Sequence, residues 1–331
     1  MASLSNETPL ILYHYAGSPF SMKIIWALTI KGLPWNSVTV PLTLPRPSLQ
    51  LLTHGYRRIP VLQCGSDVFV DTSLILEELE RRKGSDKSDK GLAKSMIMWT
   101  DRYFFSASIQ SSLVSTDPST PKFLTTSNFL SDRSSLMGRP FNLQKLRSDR
   151  PQIIDQIRSN LEWIEQQLDD DREWFLDTLT PGIADIHVAT NLFLLGFTRS
   201  ANELSIAQNY PKTYAWFNRF GKYIKESEKP PVNMTEEEAL EIARKYKPLS
   251  ARDAQLEDKM DLYRKVGDRV SIQPDDYGKV PVVGKIVSLG NSHVAIRPNN
   301  IDKTGIEVVV WFPRAGYDII PINNNQVSGR L

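Results

Sequence analysis

The chain has 331 residues, of which 40% are hydrophobic and 24% are charged, and its formal net charge at pH 7 is +2. That length allows two or three domains, each able to bury a core of its own. The small net charge, without a dense Lys/Arg run, argues against nucleic acid or an anionic membrane as partner and favours a small molecule. The single cysteine excludes an intramolecular disulfide and a cysteine-ligated zinc site, and the four scattered histidines show no metal-ligand spacing.

Residues 1–9 show none of the features of a targeting segment. They are polar and lack the basic and apolar regions of a signal peptide. No later segment approaches the roughly 18 uninterrupted apolar residues of a membrane span. We therefore expect a cytoplasmic protein that has no membrane partner.

Residues 10–83 alternate strand and helix patterns in the order βαβαββα. A buried strand at Leu10–Tyr15 leads into a helix at Pro19–Lys31. A second strand, a short helix and a tight hairpin follow, and Asp71-Thr72-Ser73 opens the last helix. This order predicts a thioredoxin-like α/β domain over residues 9–84.

Three short motifs of this domain carry a resemblance to a known family. They are Ser18-Pro19-Phe20 followed by Lys23, Ile59-Pro60-Val61-Leu62 after a basic pair, and Asp71-Thr72-Ser73-Leu74-Ile75-Leu76. Because all three occur in order within some seventy residues, the segment resembles the N-terminal domain of glutathione transferases. The motif residues are most similar to those of the serine-type tau class, the omega class and fungal relatives.

Ser18 is the candidate catalytic residue. It stands where a strand turns into a helix, and a helix N-terminus presents unpaired N–H groups and the positive end of the helix dipole. Glutaredoxin-like proteins carry Cys-x-x-Cys at this turn, but here it reads Ser18-Pro19-Phe20-Ser21, so dithiol chemistry is not available. The resemblance implies that Ser18 stabilises the thiolate of bound glutathione, with Phe20 in the same site. The alternative is that Ser18 is a plain N-cap.

The resemblance assigns glutathione contacts to the other two motifs. Pro60 is expected to be a cis-proline that turns the backbone of Ile59 toward the peptide-like middle of glutathione, unless Pro60 merely begins a strand. Asp71 and Thr72 are expected to meet the ammonium and the carboxylate of the γ-glutamyl group, although helix capping alone would also explain them. Relatives usually carry Glu-Ser here, so Asp-Thr is a conservative departure.

Three basic residues lie near these motifs. Arg46 is close to the position where relatives offer a cation to the glycine carboxylate, with a solvated surface charge as the alternative. Arg58 completes the implied set of glutathione-binding residues. Lys23 lies one turn into the first helix, where it would add positive potential or pair with a neighbouring carboxylate, and we favour the pairing.

Two tyrosines and the cysteine are weaker candidates. Other transferase classes activate the thiol with a tyrosine, but Tyr13 and Tyr15 lie on the strand before the turn, which favours Ser18. Cys64 ends a strand away from the helix tip. We therefore interpret it as a small buried residue and not as a nucleophile.

Residues 90–248 are predicted to form an all-helical domain. Its first helix, from Gly91 to about Val114, is rich in apolar and aromatic residues, and in the family such a helix faces the glutathione domain. A candidate electrophile pocket consists of Tyr15 and of four residues that helical spacing places on one face, namely Trp99, Arg102, Tyr103 and Ser106. An aromatic stripe that belongs to the core is the alternative.

A long insertion at residues 116–150 interrupts the helical domain. Long ordered loops are often lids. Phe123, Phe129 and Phe141 would then cover a bulky apolar substrate.

The resemblance extends over roughly residues 9–245. Asp185 is expected to cap a buried helix from its third position, with Gly182 where the family has a Ser or Thr partner, so the capping box is half complete. This is a folding feature. It supports the resemblance without adding a catalytic residue.

The pattern changes to short β runs after Val266. Gly290-Asn291 is typical of a hairpin turn, and the predicted strands are Arg269–Gln273, Val282–Leu289, His293–Arg297, Glu307–Phe312 and Asp318–Ile322. They predict a small SH3-like β-barrel over residues 266–323, joined by a helical connector at residues 249–265. Such a unit would pack on its own enzyme or contribute to oligomerisation. Similar β tails follow transferase modules in fungal glutathione-transferase-like proteins, some of them tied to secondary metabolism.

The leading hypothesis is a glutathione-dependent transferase whose Ser18-stabilised thiolate attacks a small, apolar electrophile. One alternative is a double-bond isomerase of secondary metabolism, in which glutathione is a cofactor and is not consumed. A second is a non-catalytic binding or regulatory module. The expected partners are glutathione and a small electrophile, with no nucleic acid and no metal, and a homodimer is left open.

Overall fold

The computed structural model describes residues 8–84, 90–248, 261–299 and 305–322. They form an N-terminal α/β domain, a helical domain and a C-terminal strand unit. The strands are β1 (Leu10–His14), β2 (Asn36–Thr39), β3 (Val61–Cys64), β4 (Asp67–Val70), β5 (Val232–Asn233), β6 (Arg269–Pro274), β7 (Val282–Leu289), β8 (His293–Pro298), β9 (Val309–Pro313) and β10 (Tyr317–Pro321). The helices are α1 (Pro19–Lys31), α2 (Pro47–Thr53), α3 (Thr72–Arg82), α4 (Lys90–Ile97), α5 (Phe105–Leu113), α6 (Ser127–Met137), α7 (Leu143–Ser148), α8 (Arg150–Gln167), α9 (Ile183–Phe197), α10 (Ser200–Glu203), α11 (Ile206–Asn209), α12 (Pro211–Ser227) and α13 (Glu236–Lys245).

The N-terminal domain has the predicted order β1-α1-β2-α2-β3-β4-α3. Strand β1 pairs in parallel with β2 and antiparallel with β3, and β3 and β4 form a hairpin. Helix α1 begins at Pro19, whose fixed φ suits the first helical turn. It ends at Gly32, which takes a φ of 57° and donates its amide to the carbonyls of Leu28 and Thr29. The thioredoxin-like prediction for this domain is confirmed.

The helical domain packs against α1 through α9. The run from α4 to α5 is continuous through a π-helical turn at Met98–Phe104, where the prediction had one α-helix. Helix α9 is largely buried, and Asp185 in its first turn accepts hydrogen bonds from the Gly182 amide, the Phe175 amide and the Trp216 indole, each at 2.9 Å. The expected capping role of Asp185 is confirmed.

The insertion at residues 116–150 is ordered and mostly helical. Leu124 and Phe129 are buried in a small apolar cluster with Leu113 of α5. Arg57 of the N-terminal domain donates to the Asp132 carboxylate of α6 at 3.2 Å and to the Ser135 hydroxyl at 3.1 Å. The insertion therefore packs on both domains.

The C-terminal strands extend the N-terminal sheet and do not close on themselves. The sheet has ten strands in the order β10-β6-β7-β8-β9-β4-β3-β1-β2-β5. The five predicted C-terminal strands are all present, but β9 pairs in parallel with β4, and β10 pairs with β6 alone. The described strands thus form an open sheet, and the predicted closed SH3-like barrel does not form. The reason is that β4 offers an unpaired edge, which β9 satisfies.

Part of the predicted connector at residues 249–265 can be compared with the structure. Residues 249–260 lie outside the described residues, and residues 261–265 are not helical. In the described parts of the chain, every helix is too short or too polar to span a bilayer.

Candidate functional site

A cavity of about 1830 Å³ lies where the three units meet. The N-terminal domain lines it with the first turns of α1 and α3 and with the segment before β3. The other walls are the face of α5, the insertion and three loops of the C-terminal unit. It therefore contains the three motifs that the sequence singled out.

Ser18 lies at the N-terminus of α1 and is 3% exposed. Its Oγ accepts a hydrogen bond from the Ser21 amide at 3.2 Å, so Ser18 is an N-cap, as the alternative prediction held. The two predictions are compatible, because a hydroxyl that accepts through a lone pair keeps its proton for donation. Among the described residues Oγ donates to no protein acceptor, which leaves that proton available to an anion in the cavity. Phe20, in the same turn, also lines the cavity and packs on Phe105 with ring centroids 4.6 Å apart.

The Ile59–Pro60 peptide bond is cis, as predicted. Both residues line the cavity directly before β3. Within the described residues, neither the amide nor the carbonyl of Ile59 has a hydrogen-bond partner in the protein. A ligand with a peptide group could therefore pair with both.

Asp71 and Thr72 line the cavity at the start of α3. Asp71 takes a φ of 70° and caps the helix, with Oδ1 accepting from the Ser73 amide at 2.9 Å and from the Ser73 hydroxyl at 2.6 Å. Its Oδ2 accepts from the Tyr317 hydroxyl at 3.3 Å. Thr72 is the first residue of the helix, so its amide is one of the N–H groups without an intrahelical acceptor. Capping and ligand binding are again compatible.

Arg46 and Arg58 line the cavity with different partners. Arg46 is only 7% exposed, so the solvated-surface alternative is wrong. Its guanidinium donates to the carbonyls of Pro41, Leu42 and Arg57 at 2.8–3.0 Å, which holds the surrounding loops together. Arg58 instead pairs with the C-terminal unit, through the Asp276 carboxylate and the Tyr277 carbonyl.

The two tyrosines of the first strand region point to different surroundings. Tyr13 is fully buried and donates to Gln63 Oε1 at 2.7 Å, and burial raises its pKa far above the ordinary value. Tyr15 lines the cavity, where its hydroxyl lies 3.4 Å from Arg133 and its ring 5.8 Å from the Arg46 guanidinium. Cys64 is buried, and burial raises the pKa of its thiol, as expected for a residue with a packing role.

Lys23 is fully buried and forms an ion pair with Asp101 of the helical domain at 2.5 Å. Burial lowers the pKa of Lys23, and the Asp101 carboxylate opposes that shift. The predicted pairing role is confirmed. His187 Nδ1 lies 3.9 Å from the same Asp101 oxygen. Burial, together with the positive charge of Lys23, keeps the pKa of His187 well below the ordinary value.

The predicted face of the first long helix is divided by the π-helical turn. Arg102 and Ser106 line the cavity, but Trp99 and Tyr103 do not. Trp99 packs among Phe104, Trp163 and Phe175 and donates to Asn160 at 2.6 Å, while Tyr103 stacks on Trp163 and is 48% exposed. The prediction is wrong for these two because the π turn at 98–104 changes the angle between successive residues. Phe105 takes the place they were expected to fill.

The insertion supplies an apolar wall to the cavity. The three predicted aromatic residues Phe123, Phe129 and Phe141 all line it, together with Leu136 and Met137. Arg133 lies over the Phe129 ring at 4.9 Å and donates to the Leu42 carbonyl at 3.1 Å. The cavity thus has a polar end at the α1 and α3 N-termini and an apolar side at the insertion.

Sequence reasoning missed the contribution of the C-terminal unit. Asp276, Tyr277, Arg314 and Gly316 line the cavity, although they lie more than 190 residues after the last of the three motifs. No local pattern marks them. The pairing of β9 with β4 brings the C-terminal unit alongside the site.

Two family profiles match the chain. Residues 12–87 match the N-terminal domain of glutathione S-transferases, and residues 113–229 match a domain of unknown function (DUF7962). No curated protein matches the chain.

Solved structures share the fold. A GST-like protein from Pseudomonas syringae is 26% identical, with a TM-score of 0.71 over 95% of this chain and 100% of that one, so the likeness reaches the C-terminal strands. A tau class glutathione S-transferase from mango is 15% identical, with a TM-score of 0.50 over 67% of this chain and 93% of that one. A glutathione transferase from Pseudomonas putida, solved with one glutathione disulfide bound per subunit, is 14% identical, with a TM-score of 0.49 over 67% and 92% of the two chains. The match of the N-terminal domain and the likeness to the Pseudomonas syringae protein support the glutathione transferase superfamily for this chain.

Proposed function

We propose that this protein is a glutathione-dependent transferase that acts on a small apolar electrophile. The observation that carries the proposal is the geometry of Ser18, which lines the cavity and whose hydroxyl accepts from the Ser21 amide but donates to no acceptor among the described residues. A thiolate placed there would receive the Ser18 hydrogen bond at the positive end of the α1 dipole. Together these interactions favour the ionised sulfur.

The remaining motifs would hold the peptide part of glutathione. The backbone groups of Ile59, which have no partner among the described residues, suit its amide. The start of α3 at Thr72 suits the γ-glutamyl carboxylate, with Asp71 for the ammonium. Arg58 offers a cation for a ligand carboxylate. Arg46 is less suited to that role than the resemblance implied, because its guanidinium is already bonded to three carbonyls.

The chemistry is a nucleophilic attack by the sulfur. The thiol proton leaves to solvent, the thiolate forms a bond to an electrophilic carbon, and either a leaving group departs or the carbon skeleton takes up a proton. Phe105 and the insertion residues Phe123, Phe129 and Phe141 would bind the apolar part of the electrophile. If the sulfur later leaves again, the same site performs an isomerisation in which glutathione is recovered.

The test removes the Ser18 hydroxyl with little loss of helix capping. Glycine is nearly as good an N-cap as serine, whereas alanine costs about 1 kcal/mol, so Ser18→Gly isolates the hydroxyl. At pH 6.5 we expect its kcat/KM with glutathione and an activated aryl chloride to fall about ten- to a hundredfold, as a thiol pKa shift of about one to two units requires. The difference in kcat/KM between wild type and Ser18→Gly should narrow above about pH 8.5, because an unassisted thiol ionises there.

Ser159→Ala is the matched control, since Ser159 is exposed and its hydroxyl bonds, among the described residues, only to the Asp155 carbonyl of its own helix. Equal activity of Ser18→Gly and wild type at both pH values would contradict the proposal. Mass analysis of products from an aryl chloride, an enone and an epoxide then shows whether glutathione is consumed or recovered.

A further inference from the structure

Two of the three C-terminal loops that line the cavity are joined to each other. Residues 275–278 lie in the loop between β6 and β7, and residues 314–316 lie in the turn between β9 and β10. The Asp275 amide donates to the Gly316 carbonyl at 3.0 Å, which joins the two loops, and the Gly278 amide donates to the Leu136 carbonyl of the insertion at 2.7 Å. These loops are therefore fixed to the cavity wall by backbone bonds.

The first loop holds Arg58 on three sides. The Asp276 carboxylate and the Tyr277 carbonyl both accept a hydrogen bond from one terminal nitrogen of Arg58. The Tyr277 ring lies against the guanidinium, with its centroid 3.9 Å from the guanidinium carbon. The Arg58 Nε is buried without a partner. Its other terminal nitrogen donates to no acceptor among the described residues. The guanidinium is thus held in one position, and its remaining N–H groups can still donate to a ligand.

Strand β10 holds Asp71 in a similar way. The Tyr317 hydroxyl lies 3.1 Å from the Tyr56 hydroxyl and donates to Asp71 Oδ2 at 3.3 Å. Because Tyr317 donates to the carboxylate, the Tyr56 hydroxyl donates to Tyr317 in turn. The relay ends on the carboxylate that caps α3 at the polar end of the cavity.

We propose that the C-terminal strand unit is a working part of the glutathione site, in which Asp276 and Tyr277 position Arg58 and Tyr317 positions Asp71. The inference rests on the proposed function, since Arg58 and Asp71 are its two charged ligand groups. None of the three C-terminal residues is a catalytic residue. They set glutathione affinity by fixing charged side chains before the ligand arrives, which removes an ordering cost from binding.

The experiment compares two variants of the full chain with two matched controls. Asp276→Asn removes the charge that pairs with Arg58. Tyr317→Phe removes the hydroxyl that donates to Asp71 and keeps the ring. Asp318→Asn is the control for the first, since Asp318 bonds only to Gln273 among the described residues. Tyr263→Phe is the control for the second, since Tyr263 is 84% exposed. Glutathione affinity is measured by calorimetry, and kcat and KM for glutathione by steady-state kinetics.

We expect Kd and KM for glutathione to rise about three- to tenfold in both variants, as the loss of one hydrogen bond implies, with kcat within about twofold of wild type. Asp276→Glu, which restores a carboxylate, should recover most of the affinity. The two controls should match wild type. A structural role alone would lower stability without this separation of KM from kcat.

Each adverse result has its own meaning. If wild-type protein binds glutathione but Asp276→Asn and Tyr317→Phe bind it as tightly or more tightly, the positioning role is wrong and the proposed function stands. If kcat and KM change together and Asp276→Glu does not restore affinity, the positioning role is also wrong. If wild-type protein binds no glutathione, the proposed function is wrong and this inference falls with it.

Discussion

Lys23 shows how a charged residue next to the site can serve the fold. It is fully buried at the start of α1 and pairs with Asp101, which is on the π-helical turn of the other domain. A buried ion pair adds little net stability, but removal of one partner leaves a buried charge alone. The pair therefore fixes the approach of the two domains beside Ser18.

This predicts different costs for single and double substitutions of the pair. Asp101→Asn should lower the free energy of unfolding by about 3 kcal/mol, because Lys23 keeps its charge without a carboxylate. The double variant Lys23→Met/Asp101→Leu should lower the free energy of unfolding by less than Asp101→Asn alone, because it leaves no buried charge. Urea unfolding of the three proteins measures this, and a double variant that loses more than Asp101→Asn would contradict the account.

The residues whose roles the sequence predicted are those set by local geometry. Ser18, the cis Ile59–Pro60 bond and the Asp71 cap each depend on a turn of a few residues, so the motif alone is informative. Arg58 was placed in the site, but its partners Asp276 and Tyr277 lie 218 and 219 residues further along the chain. No local pattern encodes such a pairing.

The insertion is held to the helical domain by Glu203 of α10. Its carboxylate accepts from the Thr116 amide at 2.6 Å and from the Thr116 hydroxyl at 2.7 Å, and it pairs with Arg150 at 2.5 Å. Burial alone would raise the pKa of Glu203, but the hydrogen bonds from Thr116 and Arg150 together lower it. This cluster closes the two ends of the insertion, since Thr116 precedes α6 and Arg150 begins α8.

The lowered pKa gives a pH signature with a definite sign. A carboxyl group whose pKa is depressed by folding stabilises the protein above its unfolded pKa, near 4.3, and loses that contribution as pH falls through its folded pKa. Glu203→Gln should therefore cost about 1–2 kcal/mol at pH 7, and the difference from wild type should shrink below about pH 4.

Chemical denaturation across that pH range provides the measurement. Glu226→Gln is the control, since within the described parts of the chain Glu226 forms only an exposed pair with Lys222 at 3.8 Å, and such pairs contribute about 0–1 kcal/mol. If Glu203→Gln lowers the free energy of unfolding by the same amount at every pH, the charge of Glu203 is not what holds the insertion.

The predictions from sequence located the elements of the N-terminal domain and the C-terminal strands, but they missed the helices α6 and α7 of the insertion, and they were less reliable about which residues share a helix face. The helix over Pro19–Lys31 and the strand over Val282–Leu289 have the predicted bounds, because Pro, Gly and alternating apolar residues mark them. The prediction for Trp99 and Tyr103 was wrong because seven residues wind as a π-helix. Helical spacing assumes an α-helix throughout, and the sequence carries no clear sign of the change.

The whole molecule is organised by one sheet that takes the two-residue strand β5 from the helical domain at one end and joins the N-terminal domain to the C-terminal strand unit. The parallel pairing of β4 with β9 joins them, and Trp311 of β9 reinforces the joint. Its indole donates to Asp67 Oδ1 at 2.7 Å, and its rings stack on Phe69 with centroids 5.4 Å apart. The five C-terminal strands were predictable from their alternation, but their partner was not, since a free strand edge has no sequence pattern.

Trp311→Phe tests the joint between the two units. The ring contact with Phe69 is kept, but Asp67, which is 1% exposed, loses a hydrogen-bond donor. We expect the free energy of unfolding to fall by about 1–3 kcal/mol. Unfolding should remain a single transition followed by fluorescence and by circular dichroism, and two separate transitions in the wild-type protein would contradict a continuous sheet.

We propose that the N-terminus of α1, with Ser18, favours ionisation of the thiol of a bound glutathione. The direct measurement is the ultraviolet absorbance of the thiolate in the complex, titrated against pH for wild type and for Ser18→Gly. We expect a midpoint about one to two pH units below that of free glutathione in wild type, and a return most of the way to the free value in Ser18→Gly. A midpoint that equals the free value in wild type, or that is the same in both proteins, would contradict it.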